Sequence, residues 1–501
     1  MSRPLRNSER VKLFTLRALR AKLRKLEPAA RFSTYPRLHQ LAGFLLGVQH
    51  KAYLFLWDMG LGKTKLSLDL ARHAIRSKKA KRFLILVPNT SNIEAWREQV
   101  QTHSPTLRMV GMDVSGSEAR QECLDSDSQI VVVTYMGLLA LVCDHDRTGK
   151  RMVINKKKLK RVLGCFEGVV YDEITAAANP QSLTFRVCRH LSKHCTYRFG
   201  LTGTPFGRNL EDLWAQFYLI DFGETLGETL GLYRAGFFTE KQNYWSGWPV
   251  FEFNKKKAKL LHRVIRNRSL RYAESECLDL PGRTDIVKHV VFPEETWAYY
   301  ERLSGEMREA QRDGDFKAIK GAFIRLRQLA AGFLRGKNAQ GEDAEIVFSQ
   351  NPKIDLLRES VAEVRQDRKL IIFHIFQKSG ELISAALKQD KRAHVRLYGK
   401  TRNKGEVVRR FMSDPKCRIL VCSSAGAYGL NLQIANYAFF FESPTDPRVR
   451  QQMVARIARS GQRRKVFVTD IVMKNSADEK ILGFVKEGKD LADAILEGEK
   501  L

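Results

Sequence analysis

Residues Ala52 to Thr64 read AYLFLWDMGLGKT: six apolar residues, then Asp58-Met-Gly60-Leu-Gly62-Lys63-Thr64. An unbroken apolar run closed by a glycine-rich turn with a lysine and a hydroxyl residue is how a buried strand, a phosphate-cradling loop and a helix start are written. Glycines let the backbone approach an anion, loop amides and a helix N-terminus point at phosphate oxygens, Lys63 counters their charge, and Thr64 suits Mg²⁺. The reading is an ATP site at Gly60, Gly62, Lys63 and Thr64. Trp57 stands where the full G-x-x-x-x-G-K-T spacing has its first glycine, so the turn needs support from the rest of the chain.

That support comes from rhythm. Ala52–Trp57, 83–87, 130–134, 168–171 and 197–201 are short β-rich runs separated by helical patterns, which predicts a mostly parallel sheet with ligands at the carboxyl ends of its strands. Asp172-Glu173 follows one such run, where a Walker-B pair belongs: the Asp can hold Mg²⁺ and the Glu can orient or deprotonate water. The bland alternative for an acidic pair there is a helix cap. A second series, at 370–376, 393–397, 418–422, 437–441 and 465–472, predicts a second parallel sheet without a phosphate loop. One lobe thus grips ATP by its own loop, while the other can contribute only from across a cleft. Arg456 and Arg459, three residues apart on one helix face, are the candidates for arginine fingers rather than a solvated face.

With 501 residues the chain exceeds one core, and 86 Lys plus Arg against 55 Asp plus Glu give a net charge of +31. Such an excess favours a polyanionic partner over a small metabolite. Eight cysteines without a C-x-x-C pair indicate neither zinc nor a disulfide framework and fit an intracellular, soluble protein. No apolar stretch approaches the roughly 18 residues of a membrane span, and a monomer is the expected working unit.

Residues 1–30 form a basic helical segment with Leu13, Leu16, Leu19, Leu23 and Leu26 at steps of three and four. Two readings stand: a basic helix lying on nucleic acid, or an amphipathic helix packing its leucines on the first domain, with an organelle presequence third. The first lobe is expected over 31–280, with an irregular aromatic and basic extension from 205. Arg263, Arg266, Arg268 and Arg271 make a plausible backbone-phosphate track or a face toward the second lobe. Residues 281–350 are expected to be helical, ending in the polar stretch Gly336–Asp343 as linker, and 351–501 to be the second lobe with bracing helices.

The order of these pieces resembles a superfamily-two helicase-like ATPase of the Swi/Snf type over roughly residues 35 to 485. Tyr35–Gln40 resembles the family's Q motif, Asp58–Thr64 its motif I, Leu86-Val-Pro88-Asn89 its motif Ia, and Val133-Thr134-Tyr135 its next DNA-facing strand end. Leu201-Thr-Gly-Thr-Pro205 is similar to motif III, Phe373–Gln377 to motif IV, Cys422–Asn431 to motif V and Gln452–Gln462 to motif VI. Motif II departs: Thr175 replaces the histidine that links ATP state to motif III. The resemblance implies α/β architecture with two tandem RecA-like parallel-sheet lobes and the ATP site in the cleft between them. It also implies a DNA-stimulated ATPase using ATP and Mg²⁺, with Lys63, Asp172, Glu173, Arg456 and Arg459 catalytic and Thr64 and Asp172 on the metal. Gln40, Gly429 and Gln452 would contact nucleotide. Pro88, Asn89, Thr134, Tyr135, Arg266, Phe376, Gln377, Ser423 and Ser424 would contact duplex or branched DNA. Compactness suits a bacterial or bacteriophage translocase in replication, recombination or repair. The alternatives are an RNA helicase, or a DNA-binding assembly factor with weak or lost ATPase.

Overall fold

The computed structural model describes residues 7–28, 30–146, 148–149, 151–203, 210–242, 249–277, 282–313, 315–337, 343–399, 401, 403–423, 432–458, 461–483 and 485. The chain divides into two units, with the boundary between Leu278 and Asp279.

Among the described residues, the first unit holds a seven-stranded sheet made of β1 (Ala52–Trp57), β2 (Phe83–Val87), β3 (Met109–Gly111), β4 (Ile130–Thr134), β5 (Gly168–Asp172), β6 (Tyr197–Leu201) and β7 (Ser269–Tyr272). Their order is β7-β1-β6-β5-β2-β4-β3, and every pairing is parallel. All six residues of β1 are buried because both faces are covered. Ala52, Leu54 and Leu56 enter one apolar layer, while Tyr53, Phe55 and Trp57 enter the other. This is why the run reads as continuous rather than alternating hydrophobicity.

The second unit repeats the plan with β8 (Arg283–Val290), β9 (Lys369–His374), β10 (His394–Leu397), β11 (Ile419–Ser423), β12 (Ala435–Phe440) and β13 (Val466–Met473). Their order is β8-β13-β12-β9-β11-β10, again parallel throughout. The α/β class with two tandem RecA-like parallel-sheet lobes is therefore present.

Three features differ from expectation. The edge strands β7 and β8 come from stretches rich in arginine, lysine and aspartate, whose half-exposed position tolerates the polar residues that hid them. Gly336, Lys337 and Asp343 of the expected linker lie in strands, since Phe333–Lys337 pairs antiparallel with Asp343–Val347 and Phe333 is buried in a core of the second unit, while 338–342 lie outside the described residues. The N-terminal helix Asn7–Leu26 packs leucines on the first unit while its basic face stays exposed. Leu16, Leu19 and Leu23 are half-buried, Leu23 packs on the first unit's core, and Glu27 reaches His73 at 3.1 Å, leaving Arg17, Lys22, Arg24 and Lys25 outward. Among the described residues, no helix is long and apolar enough to cross a membrane.

Candidate active site

The turn after β1 enters the helix Lys63–Arg76 through Gly60 and Gly62, whose φ of 80° and 79° lie in the left-handed region. A side chain is disfavoured there. At Gly62 a Cβ would also lie 2.2 Å from the Gln40 amide nitrogen, so that side chain would have to move. Gln40 and His39 come from the helix Leu38–His50. His39 Nε2 lies 2.8 Å from the Leu61 carbonyl, and Gln40 Nε2 donates to the Leu61 and Gly62 carbonyls at 3.3 and 3.4 Å. Burial lowers the His39 pKa, which favours a neutral ring donating from Nε2. Gln40 Oε1 accepts from the Arg37 amide at 2.9 Å, so this side chain ties its helix to the loop.

The Lys63 ammonium donates to the carbonyls of Trp57 (2.8 Å) and Asp58 (3.3 Å). Burial lowers its pKa, opposed by Glu173, then Asp172, then Asp58. Thr64 follows in the first helical turn. Arg271, at the end of β7, pairs with Asp58 at 3.1 Å and steadies the turn from the other side.

Asp172 closes β5, two positions from β1 in the sheet, so the two strand ends lie about 10 Å apart at ordinary strand spacing. Its Oδ2 accepts from Trp96 Nε1 at 2.8 Å. Glu173 sits at φ 49°, ψ 62°, a left-handed conformation that costs a non-glycine residue on the order of 1–3 kcal/mol. Its Oε2 accepts from Thr202 Oγ1 at 3.2 Å. Thr175, in place of the family's histidine, lies in the short helical turn Ile174–Ala177. The contact from the acidic strand end to motif III is thus made by Glu173 itself.

The residues expected on nucleic acid divide. Pro88, Asn89 and Thr134 do lie at strand carboxyl ends, but Asn89 caps Thr90–His103 by accepting from Asn92 N, and Thr134 caps Tyr135–Val142 by accepting from Gly137 N. Tyr135 is a correction: it is 4% exposed, its hydroxyl donates to the Asp172 carbonyl at 3.2 Å, and burial pushes its pKa up. Its hydroxyl is spent on the backbone of the acidic strand end. Arg266 is exposed at the end of Ala258–Ile265.

In the second unit Phe376 packs edge-on against Phe333 (5.6 Å between centroids) beneath the Arg327 guanidinium, while Gln377 is exposed. Ser423 ends β11 and is buried. Gln452, in the helix Pro447–Val454, has a buried Oε1 without a hydrogen-bond partner among the described residues, and the half-buried Arg456 accepts through its carbonyl from Leu432 N. Ser424, Gly429 and Arg459 lie outside the described residues.

Sequence reasoning missed the charges that hold this edge. Arg450 grips Asp470 through two bonds of 2.8 and 2.6 Å and donates to Ser443 Oγ at 2.6 Å. Arg327 donates to the Ser443 carbonyl at 2.9 Å. Glu442, fully enclosed, accepts from the Ile375 amide at 2.6 Å and from Ser379 Oγ, and burial raises its pKa. Lys353, 0% exposed, pairs with Asp478 at 2.8 Å. Only side-chain type hinted at them, because the partners lie up to 125 residues apart.

The family model described as SNF2-related domain matches residues 37–339, and the helicase conserved C-terminal domain matches 352–461. Putative ATP-dependent helicase/translocase YwqA of Bacillus subtilis (strain 168) is 23% identical over 460 residues, covering 88% of this chain and 46% of that protein. Putative protein p41 of Acyrthosiphon pisum secondary endosymbiont phage 1 is 24% identical over 489 residues, covering 94% and 99%. Among solved structures, the Sulfolobus solfataricus SWI2/SNF2 ATPase core in complex with dsDNA has 23% identity and a TM-score of 0.41, covering 93% of this chain and 94% of that one. The chain spans 66%, 40% and 46% of the length of the first three curated relatives it matches.

Proposed function

The chain belongs to the SNF2-related family, and from that premise we propose that it hydrolyses ATP to move along duplex or branched DNA. The observation that carries this reading is that Lys63, behind a loop built on two left-handed glycines at the end of β1, shares one sheet edge with the Asp172-Glu173 pair at the end of β5. Lys63 neutralises phosphate charge in both ground state and transition state. Thr64 and Asp172 offer hard oxygen donors of the kind Mg²⁺ takes. Bound there, the ion would supply charge neutralisation to the transferring phosphoryl group. Glu173, with its carboxylate fixed by Thr202, orients and deprotonates the attacking water. Trp96 and Tyr135 hold Asp172 at the strand end.

Gln40 and Gln452 are proposed nucleotide contacts, and Arg456 and Arg459 are proposed to stabilise charge during hydrolysis. DNA as the track is supported by the net charge of +31, and replication, recombination or repair is proposed as the setting. ATP turnover measured with single-stranded, duplex and forked DNA and with RNA tests the proposal. Stimulation by duplex or forked DNA is expected. Stimulation by RNA alone, or turnover indifferent to every nucleic acid, would overturn the track assigned here.

A further inference from the structure

Two stretches outside the motifs share wording: Asn155-Lys156-Lys157-Lys158 and Asn254-Lys255-Lys256-Lys257. They share surroundings as well. Each follows an antiparallel hairpin, Cys143–His145 with Met152–Ile154 in one case and Phe238–Gln242 with Pro249–Phe253 in the other. Each opens a helix, Lys156–Leu163 directly and Ala258–Ile265 through the turn Lys255–Lys257. Both helices bury their apolar face, Leu159 with Val162 and Leu261 with Ile265, in the same apolar layer of the first unit.

Three cations in a first helical turn run against the helix dipole, which favours anions there. The asparagines offset part of that cost. Asn155 accepts from the amides of Lys157 (2.9 Å) and Lys158 (3.1 Å), and Asn254 accepts from Lys256 (3.1 Å). The helix ends are thus already capped, and what each turn presents outward is ammonium groups. In each triplet one lysine is spent internally: Lys158 pairs with Asp144, and Lys257 donates to the Gly236 carbonyl at 2.6 Å. The other two in each, Lys156 with Lys157 and Lys255 with Lys256, are exposed and form no ion pair with the described residues. The acid near Lys255, Glu252, is engaged by Lys241. A locally unfavourable arrangement repeated twice, with the same division of labour, marks a function for the outward charges.

We infer that these two lysine pairs grip the phosphodiester backbone of duplex DNA. Lysine acts as a point charge on phosphate and reads no base, so the grips add affinity and register without sequence preference. The first lies one eight-residue helix, about 12 Å, from the β4 strand end, because Asn155 N donates to the carbonyl of Val142 at the far end of Tyr135–Val142. The inference rests on the DNA track proposed above.

The test is the affinity of the full chain for a labelled duplex of arbitrary sequence across a salt series. The variants are Lys156→Gln/Lys157→Gln, Lys255→Gln/Lys256→Gln, their quadruple combination, and Lys→Arg counterparts. Each glutamine pair should lower the log–log salt slope by about 2, and the quadruple by about 4, at roughly 0.9 per lost phosphate contact. The arginine variants should keep the wild-type slope, and turnover without DNA should not change. Glutamine variants that bind duplex with the wild-type slope would overturn the grips and leave the ATPase reading standing. A wild-type chain that binds no duplex, or binds only RNA, would overturn the DNA track and the grips together.

Discussion

The carboxyl edges of the two sheets are held by different means. In the first unit the edge is shaped by backbone: two glycines at positive φ, a strained Glu173, and carbonyls of Trp57 and Asp58 that take the Lys63 ammonium. Its Asp172 and Glu173 carboxylates accept from the neutral donors of Trp96 and Thr202. In the second unit charge is spent on fastening. Arg450 is closed on Asp470, Lys353 on Asp478, and Glu442 on the amides of the Phe373–Gln377 stretch. Buried pairs contribute little net stability but fix geometry, and removing one partner strands the other.

The largest effect is expected at Arg456. If the second unit supplies charge to the phosphoryl group, Arg456→Ala should leave ATP affinity within a few-fold while turnover falls by ~10³ to 10⁵, the usual range for a lost arginine finger. Titration of nucleotide alongside steady-state hydrolysis checks it, and unchanged turnover would confine the chemistry to the first unit. Next comes the fastening itself. Asp470→Ala, by leaving Arg450 buried without its partner, should cost the second unit about 3–5 kcal/mol in urea unfolding. Replacing both residues with apolar ones should recover most of that loss, and nucleotide binding by the first unit should be unaffected. A smaller effect sharpens the contrast through pH. Burial pulls His374, beside the Glu442 clamp, from 6.5 down to about 4. With its folded pKa below the unfolded one, the unfolded chain takes up the proton first. The stability it carries is whole above about pH 6.5 and is lost as pH falls toward 4, amounting to roughly 3 kcal/mol. Glu442 and Asp470, both raised by burial, act in the opposite sense over their own ranges. The difference between wild type and His374→Gln, read as unfolding midpoints from pH 7 to 4, therefore isolates the histidine.

Much of the first edge was legible because its chemistry is local in sequence. Gly60 to Thr64 and Asp172-Glu173 are contiguous, and apolar runs buried on both faces announce their strands. The strands β7 and β8 were not, since edge strands tolerate the charges that mask them. Tyr135 misled for a related reason: its position beside Thr134 was read correctly, but the direction of its side chain, inward to Asp172, depends on packing that no spacing encodes. Arg450–Asp470 and Lys353–Asp478 join residues 20 and 125 apart, and a buried ion in a sequence looks like any surface one.

Glu173 is the residue on which catalysis at the first edge depends most directly. Measured side by side, wild type and Glu173→Gln should bind ATP with affinities within a few-fold, because the substitution spares Lys63 and the loop. Turnover in the variant should fall by three orders of magnitude or more, about 4 kcal/mol of lost transition-state stabilisation. A variant that hydrolyses ATP at the wild-type rate would contradict the assignment of this strand end as the catalytic edge.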